Sequence, residues 1–192
     1  YDNPVLWFIS EAWLGPFFQM TSQVNIVKPG GQSQHPHRDY HLGFQEDSLI
    51  SEYPISSQIL SKFLTLQGAI AHTDMDISSG STMMLPFSHQ YPLGYMAWRD
   101  SKFIEYFQNH AVQLQLQKGD VMFLSPALFH AAGTNKESSD RIANLLQVSS
   151  AFGKTMESVD RTKMTKLIYR ALLERKKSHQ LRKDELHTIG AS

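Results

Sequence analysis

The chain contains no cysteine, which excludes a disulfide framework and any zinc site built on thiolates. No apolar run approaches the roughly 20 residues needed to span a bilayer. No secretory apolar core opens the chain either, so no membrane role is expected and the cytoplasm is the default location. Charge is sparse and uneven: residues 1–153 carry eight Lys and Arg against thirteen Asp and Glu. Residues 154–192 carry ten against five, so a formal net charge of zero conceals an acidic body and a basic tail. A solvated helix face accounts for such a tail, and no nucleic-acid partner is expected. The chain opens on Tyr1 rather than Met, so an upstream piece is expected to precede it.

What is present suits an ordered domain. At 192 residues, 41% hydrophobic and 19% charged, the chain can bury a sizeable core. A helix is expected over 3–14, with Asn3 as N-cap and Pro4 at the first helical position. Strands are expected at Phe17–Val27, from the His-rich stretch at 34–41 to about Phe44, and at Phe63–Thr73, Ser81–Leu85, Val112–Gln117, Asp120–Leu124, Leu128–Ala132 and Arg141–Ala151. Val112, Leu114 and Leu116 alternate with glutamines, the pattern of a half-buried strand. Residues 45–61, polar and broken by Pro54, read as a loop with one helical turn, and 99–108 as a short helix. Eight strands with hairpin-length connections and no alternating helices predict an all-β core with flanking helices, arranged as a jelly roll. The division expected is a β domain over 1–153 and a helical extension over 154–192. In the extension Val159, Met164, Leu167, Ile168, Leu172 and Leu173 recur at helical spacing. Oligomeric state is open, and the C-terminal helix is the surface a homodimer would use.

The chemistry centres on His37-Arg38-Asp39. On an extended strand residues two apart share a face, so the imidazole and the carboxylate project together and Arg38 turns away. The pair supplies two ligands of a 2-His-1-carboxylate triad, the set that holds Fe(II) on one side and leaves other positions open. His130, which follows an apolar stretch, is the third candidate. Arg141 begins the next strand, where its planar guanidinium could clamp a carboxylate in a way Lys cannot. An iron site beside such a clamp calls for a small dicarboxylate co-substrate.

Three segments then carry a resemblance. His37-Arg38-Asp39, the stretch from Ser79-Gly80 to Leu85-Pro86-Phe87-Ser88-His89, and the run from His130 through Asn135 to Arg141 are similar to the phytanoyl-CoA dioxygenase family. The resemblance covers roughly residues 18–150. It implies a double-stranded β-helix and a non-haem Fe(II)- and 2-oxoglutarate-dependent dioxygenase that uses O2 to hydroxylate a small organic substrate. It further implies His37, Asp39 and His130 as iron ligands and Arg141 as partner of the distal carboxylate of 2-oxoglutarate. Thr21 and Asn25 match strand positions that contact the co-substrate in the ectoine hydroxylase branch. Three features bear on the match. Ala132 stands where the family often has Ser, with Thr134 the candidate to replace the lost hydrogen bond. The segment before the first core strand is short for the family. Asp39 is present where halogenase relatives carry a small residue, so halogenation is not expected.

Two other readings compete. A catalytically silent jelly-roll or cupin-like binding module would keep the shell without the chemistry. A zinc hydrolase could use His35, His37 and His41, which share a face of an unbroken strand, although Pro36 disturbs that register. The identity of the substrate is open, and no basic cluster lies near the pocket motifs to argue for CoA phosphates.

Overall fold

Residues 3–178 are described by the computed structural model. Helix α1 (Pro4–Leu14) begins as its sequence dictates: the Asn3 side chain accepts a hydrogen bond from Val5 N, and Pro4 occupies a position whose N–H would have no helical partner. Gly15, with φ 77°, turns the chain out of the helix.

Seven strands follow: β1 (Gln19–Val27), β2 (Thr65–Ala71), β3 (Thr82–Met84), β4 (Val112–Gln113), β5 (Val121–Leu124), β6 (His130–Ala132) and β7 (Arg141–Ser149). They form a four-stranded sheet in the order β1-β7-β2-β5 and a three-stranded sheet in the order β4-β3-β6. Helices α2 (Asp47–Glu52), α3 (Ile55–Ser61), α4 (Gly94–Ala97), α5 (Ser101–His110) and α6 (Arg161–Lys177) flank them. This is the expected all-β core with flanking helices and a C-terminal helix. No helix among the described residues is long and apolar enough to cross a membrane.

The described residues divide into two compact units, one of residues 22–147 and one that joins the residues before 22 to those from 148 onward. In the first, β2 and β5 pair antiparallel, Gln67 opposite Leu124 and Ile70 opposite Val121. β3 pairs antiparallel with both β4 and β6. Its core consists of Leu85, Phe107, Phe129 and Ala131 in one cluster, Leu42, Ile50, Tyr95 and Ala127 in a second, and Ala71, Met75 and Ala143 in a third. In the other unit Leu6, Leu14, Phe18, Met20 and Val148 are buried. There Asp160 caps α6 by accepting from Lys163 N, and Arg161 Nη2 donates to Gln19 Oε1 at 2.9 Å.

Four expectations are corrected. The His-rich stretch is not a strand running to Phe44. It makes one bridge, His37 with His130, and then Tyr40 and His41 enter left-handed conformations at φ 53° and 45°. Pro36 has no N–H to give a ladder, and Gly43 packs so closely on the Arg38 and Asp39 backbone that a Cβ would overlap it. Residues 45–61 form two short helices rather than a loop, with Pro54 serving as the start of α3 instead of a break. The Val112–Gln117 alternation yields only the two-residue β4 and a bridge between Met75 and Leu116. β4 is an edge strand, and Val112 and Leu114 stay 52% and 41% exposed. Finally α6 starts at Arg161, past Val159, and buries no residue; Leu167, Tyr169 and Leu173 face solvent. The last part of the basic tail, residues 179–192, lies outside the described residues.

Candidate active site

Main-chain hydrogen bonds set the positions of the three candidate ligands. His37 N donates to His130 O at 3.0 Å and His130 N returns a bond to His37 O at 3.1 Å. Asp39 N donates to Pro126 O at 2.9 Å, which fixes the next register point. Although the stretch is no regular strand, it is extended here, so alternate side chains diverge. His37 and Asp39 project into a cavity of about 380 Å³ that His130 and Arg141 also line.

Arg38 goes the other way. It is almost fully buried, with its guanidinium 5.0 Å from the Tyr95 ring centre and 4.9 Å from that of Phe129. One Nη donates to the carbonyls of Ser88, at 2.6 Å, and Tyr91, at 3.0 Å. A Cβ at Gly94 would overlap it. Burial pulls its pKa down to about 10, opposed by the Tyr95 hydroxyl.

In the cavity His37 Nε2 lies 3.4 Å from Asp39 Oδ1, and His130 Nε2 lies 3.3 Å from Asp39 Oδ2. One ligand atom from each residue falls within 4.8 Å of the others. Both imidazoles are oriented from behind. His37 Nδ1 bonds His35 O at 2.8 Å, and His130 Nδ1 bonds Leu128 O at 2.8 Å. A carbonyl only accepts, so each ring donates from Nδ1, and Nε2 is the atom left to ligate a metal once it carries no proton. That is the arrangement by which a histidine is prepared for a metal.

Charge states suit the same role. Burial alone would raise the Asp39 carboxyl, but the hydrogen bond and charge of His130, the charge of His37 and the Gln67 amide together hold it below the ordinary carboxylate value. Burial lowers His37, reinforced by His130 and opposed by Asp39 and the His35 carbonyl. Near neutral pH the cluster therefore presents a carboxylate and a neutral His37 imidazole, a donor set fitting a divalent first-row metal such as Fe(II).

Arg141 opens β7 and is 5% exposed. Its Nη1 donates to Gly80 O, while Nε is buried without a hydrogen-bond partner. No acidic side chain among the described residues pairs with it, and burial lowers its pKa. A buried cation with unused donors, in the same cavity as the triad, is matched to an incoming carboxylate.

The other named residues divide. Asn25 lines the cavity. Thr21, earlier on β1, is buried and belongs to the other compact unit. Ala132 lines the cavity, but Thr134 does not take the place of a serine there; its hydroxyl accepts from Ser33 N. His35 and His41 do not join His37: the one group of three ligating side chains among the described residues is His37, Asp39 and His130. Asp74 caps the turn at Lys118. Reading the sequence missed Gln67, which lines the cavity and contacts Asp39. Its signal was an amide within a strand otherwise suited to complete burial.

The chain is similar to known proteins in sequence and in fold. The sequence pattern of the family described as phytanoyl-CoA dioxygenase matches residues 2–143. The peroxisomal phytanoyl-CoA dioxygenase of Bos taurus is 28% identical over 150 residues, covering 69% of this chain and 40% of that protein. Among solved structures, EctD from S. alaskensis, crystallised with 2-oxoglutarate and 5-hydroxyectoine, superposes with a TM-score of 0.57 at 16% identity, covering 78% of this chain and 50% of that one. The non-heme alpha ketoglutarate dependent epimerase SnoN superposes with a TM-score of 0.58 at 16% identity, covering 78% and 54%. These two likenesses are of fold. In each case the chain spans less than two-thirds of the relative's length.

Proposed function

We propose, from the premise that the chain belongs to the phytanoyl-CoA dioxygenase family, that it carries the active site of a non-haem Fe(II)- and 2-oxoglutarate-dependent oxygenase that hydroxylates a small organic molecule. The observation that carries the proposal is the pairing, in one cavity, of a preoriented His37–Asp39–His130 cluster with the buried guanidinium of Arg141, which has no acidic partner among the described residues. When bound, iron with 2-oxoglutarate and O2 supplies the oxidation, in which 2-oxoglutarate is decarboxylated to succinate and CO2 and one oxygen atom enters a substrate C–H bond.

The protein's share is placement. His37 Nε2, His130 Nε2 and the Asp39 carboxylate would hold the metal from one side, leaving the cavity side open. The carbonyls of His35 and Leu128 hold the two rings in the required tautomer. Arg141 would take the distal carboxylate of 2-oxoglutarate through its free donors, while the Gly80 carbonyl keeps the guanidinium from swinging. Asn25, at the cavity wall, can add a neutral hydrogen bond to the co-substrate, whereas the burial of Thr21 gives that residue a packing role on β1. Ile26, Met122, Leu124 and Leu145 line the same cavity and limit water around the reacting carbon.

An anaerobic titration tests the reading. Fe(II) followed by 2-oxoglutarate should produce a weak visible charge-transfer band that requires both additions and is lost in His130→Ala. No band in the wild-type chain would overturn the assignment and favour a silent binding module.

A further inference from the structure

β2 is the strand on which the site's second layer is built. It lies between β7 and β5, and Thr65 to Ala69 are buried without interruption. Within that run Gln67 is the one residue with a hydrogen-bonding side chain that reaches the metal cluster. Its main chain sits in the antiparallel register with Leu124, and at the next residue, Gly68, a Cβ would lie only 3.2 Å from the Met122 carbonyl and the Phe123 ring. An inner strand packed this closely cannot shift to suit the cavity, so the position of the Gln67 side chain is set by the sheet.

Its amide meets Asp39. Gln67 Nε2 donates to Asp39 Oδ2 at 2.5 Å, with both residues buried. An ionised carboxylate only accepts, so the amide must present its NH2 to Asp39, and Oε1 is left as an acceptor. The two carboxylate oxygens are thereby made unequal. Oδ2 already has a donor from the sheet, whereas Oδ1 faces His37 Nε2 at 3.4 Å with no hydrogen bond of its own from β2.

We propose that Gln67 is the positioning residue of the metal site: it occupies Asp39 Oδ2, so that the carboxylate offers Oδ1 to the metal as a single-oxygen ligand. The proposal rests on the reading of His37, Asp39 and His130 as metal ligands. Without the Gln67 donor the carboxylate is free to rotate about its Cβ–Cγ bond. It can then close on the metal with both oxygens and use up a position meant for co-substrate, or swing Oδ2, now 3.3 Å from His130 Nε2, out of its present place. Either outcome weakens or reshapes the site while leaving all three ligands in the chain. An outer partner of this kind typically sets metal affinity by roughly 10–100-fold.

The experiment uses Co(II), whose ligand-field bands report coordination directly and whose binding needs neither 2-oxoglutarate nor turnover. The full chain and two variants, Gln67→Met and Gln67→Asn, are titrated anaerobically by calorimetry and visible absorption. Met removes the donor at similar length; Asn keeps an amide in the strand but is too short to reach Asp39. Both should bind Co(II) about 10–100-fold more weakly and show altered ligand-field bands, with melting temperatures close to wild type. Gln32→Met, in which the lost amide bonds the Gly30 carbonyl at the same cavity, should leave the affinity and the bands unchanged. Unchanged affinity and bands in both Gln67 variants would overturn the proposal while leaving the metal site standing. A wild-type chain that binds no Co(II) would overturn it together with the reading it rests on.

Discussion

His37 and His130 exchange both of their main-chain hydrogen bonds, an isolated pair that clasps two segments far apart in sequence. Their ring centres consequently lie 4.6 Å apart, although no regular strand leads into the pair from the His37 side. Because the clasp is made by backbone, a side chain can be removed from the cluster without releasing the scaffold. Asp39→Ala should therefore fold, with unchanged circular dichroism, yet fail to hold Fe(II) and fall to background in succinate release. Undiminished turnover in that variant would remove Asp39 from the ligand set.

Arg141 should act on the co-substrate and not on the metal. Arg141 is 5% exposed, so its bond to a carboxylate would form in a site largely shielded from water. Losing one partner of a buried charged pair costs about 2–5 kcal/mol, and each ~1.4 kcal/mol is tenfold. Arg141→Ala should raise the 2-oxoglutarate dissociation constant by about 100-fold or more while changing Fe(II) affinity far less. Arg141→Lys should not restore it, since an ammonium cannot supply two parallel bonds. Parallel calorimetric titrations of metal and co-substrate separate the two effects, and an unaltered 2-oxoglutarate affinity would contradict the clamp.

Sequence patterns reached some of this arrangement and not the rest, for physical reasons. Asn3-Pro4 and the Lys118-Gly119 turn are local chemistry: a cap, and a glycine at φ 100° followed by Asp120 N bonding Gln117 O. The facing of His37 and Asp39 needs only extended backbone over three residues, so it survived the failure of the longer strand. That failure had no local signal, because Tyr40 and His41 adopt conformations their side chains disfavour, imposed by packing around Gly43. The Val112–Leu116 alternation was real as a pattern, but its burial depended on which strand became the sheet edge. Arg38 was expected to turn away from the site, and does. That it would be buried among Tyr95, Phe129 and the carbonyls of Ser88 and Tyr91 depends on a loop some fifty residues distant. Gln67 belongs to the same class: only the assembled sheet shows what its amide touches.

The packing around Arg38 gives a stability prediction. Gly94 leaves room for a guanidinium that lies against it, and a single added methyl would overlap that group. Arg38 cannot retreat without abandoning two carbonyl acceptors and both aromatic faces. Overpacking of this kind costs about 1–3 kcal/mol, and disturbing a buried charge adds to it. Gly94→Ala should lower unfolding free energy by about 3 kcal/mol in urea denaturation. Since Arg38 stands between two of the candidate ligands, the variant should also lose Fe(II) affinity under conditions where it remains folded. A neutral effect on both would show that the loop at 88–95 yields easily and does not brace the site.

Acid should weaken the metal-free fold through the same cluster, and the sign is set by two lowered pKa values. His37 lies below its ordinary 6.5 because of burial and His130, so an unfolded chain takes up a proton near 6.5 while the folded chain does not. Unfolding then binds protons, and stability falls as pH drops from 6.5 through the lowered value. Asp39, held below 3.8 despite burial, acts in the same direction at more acid pH: its stabilisation is present above 3.8 and is lost as pH falls through the folded value. Melting temperature measured in chelator should therefore decline on acidification in two stages. His37→Gln should flatten the first stage, just below pH 6.5, and Asp39→Asn the second. Bound Fe(II) should steepen the first stage, because protons and metal then compete for His37 Nε2. A metal-free melting temperature that stayed level through both ranges would mean that the cluster is not held in these protonation states.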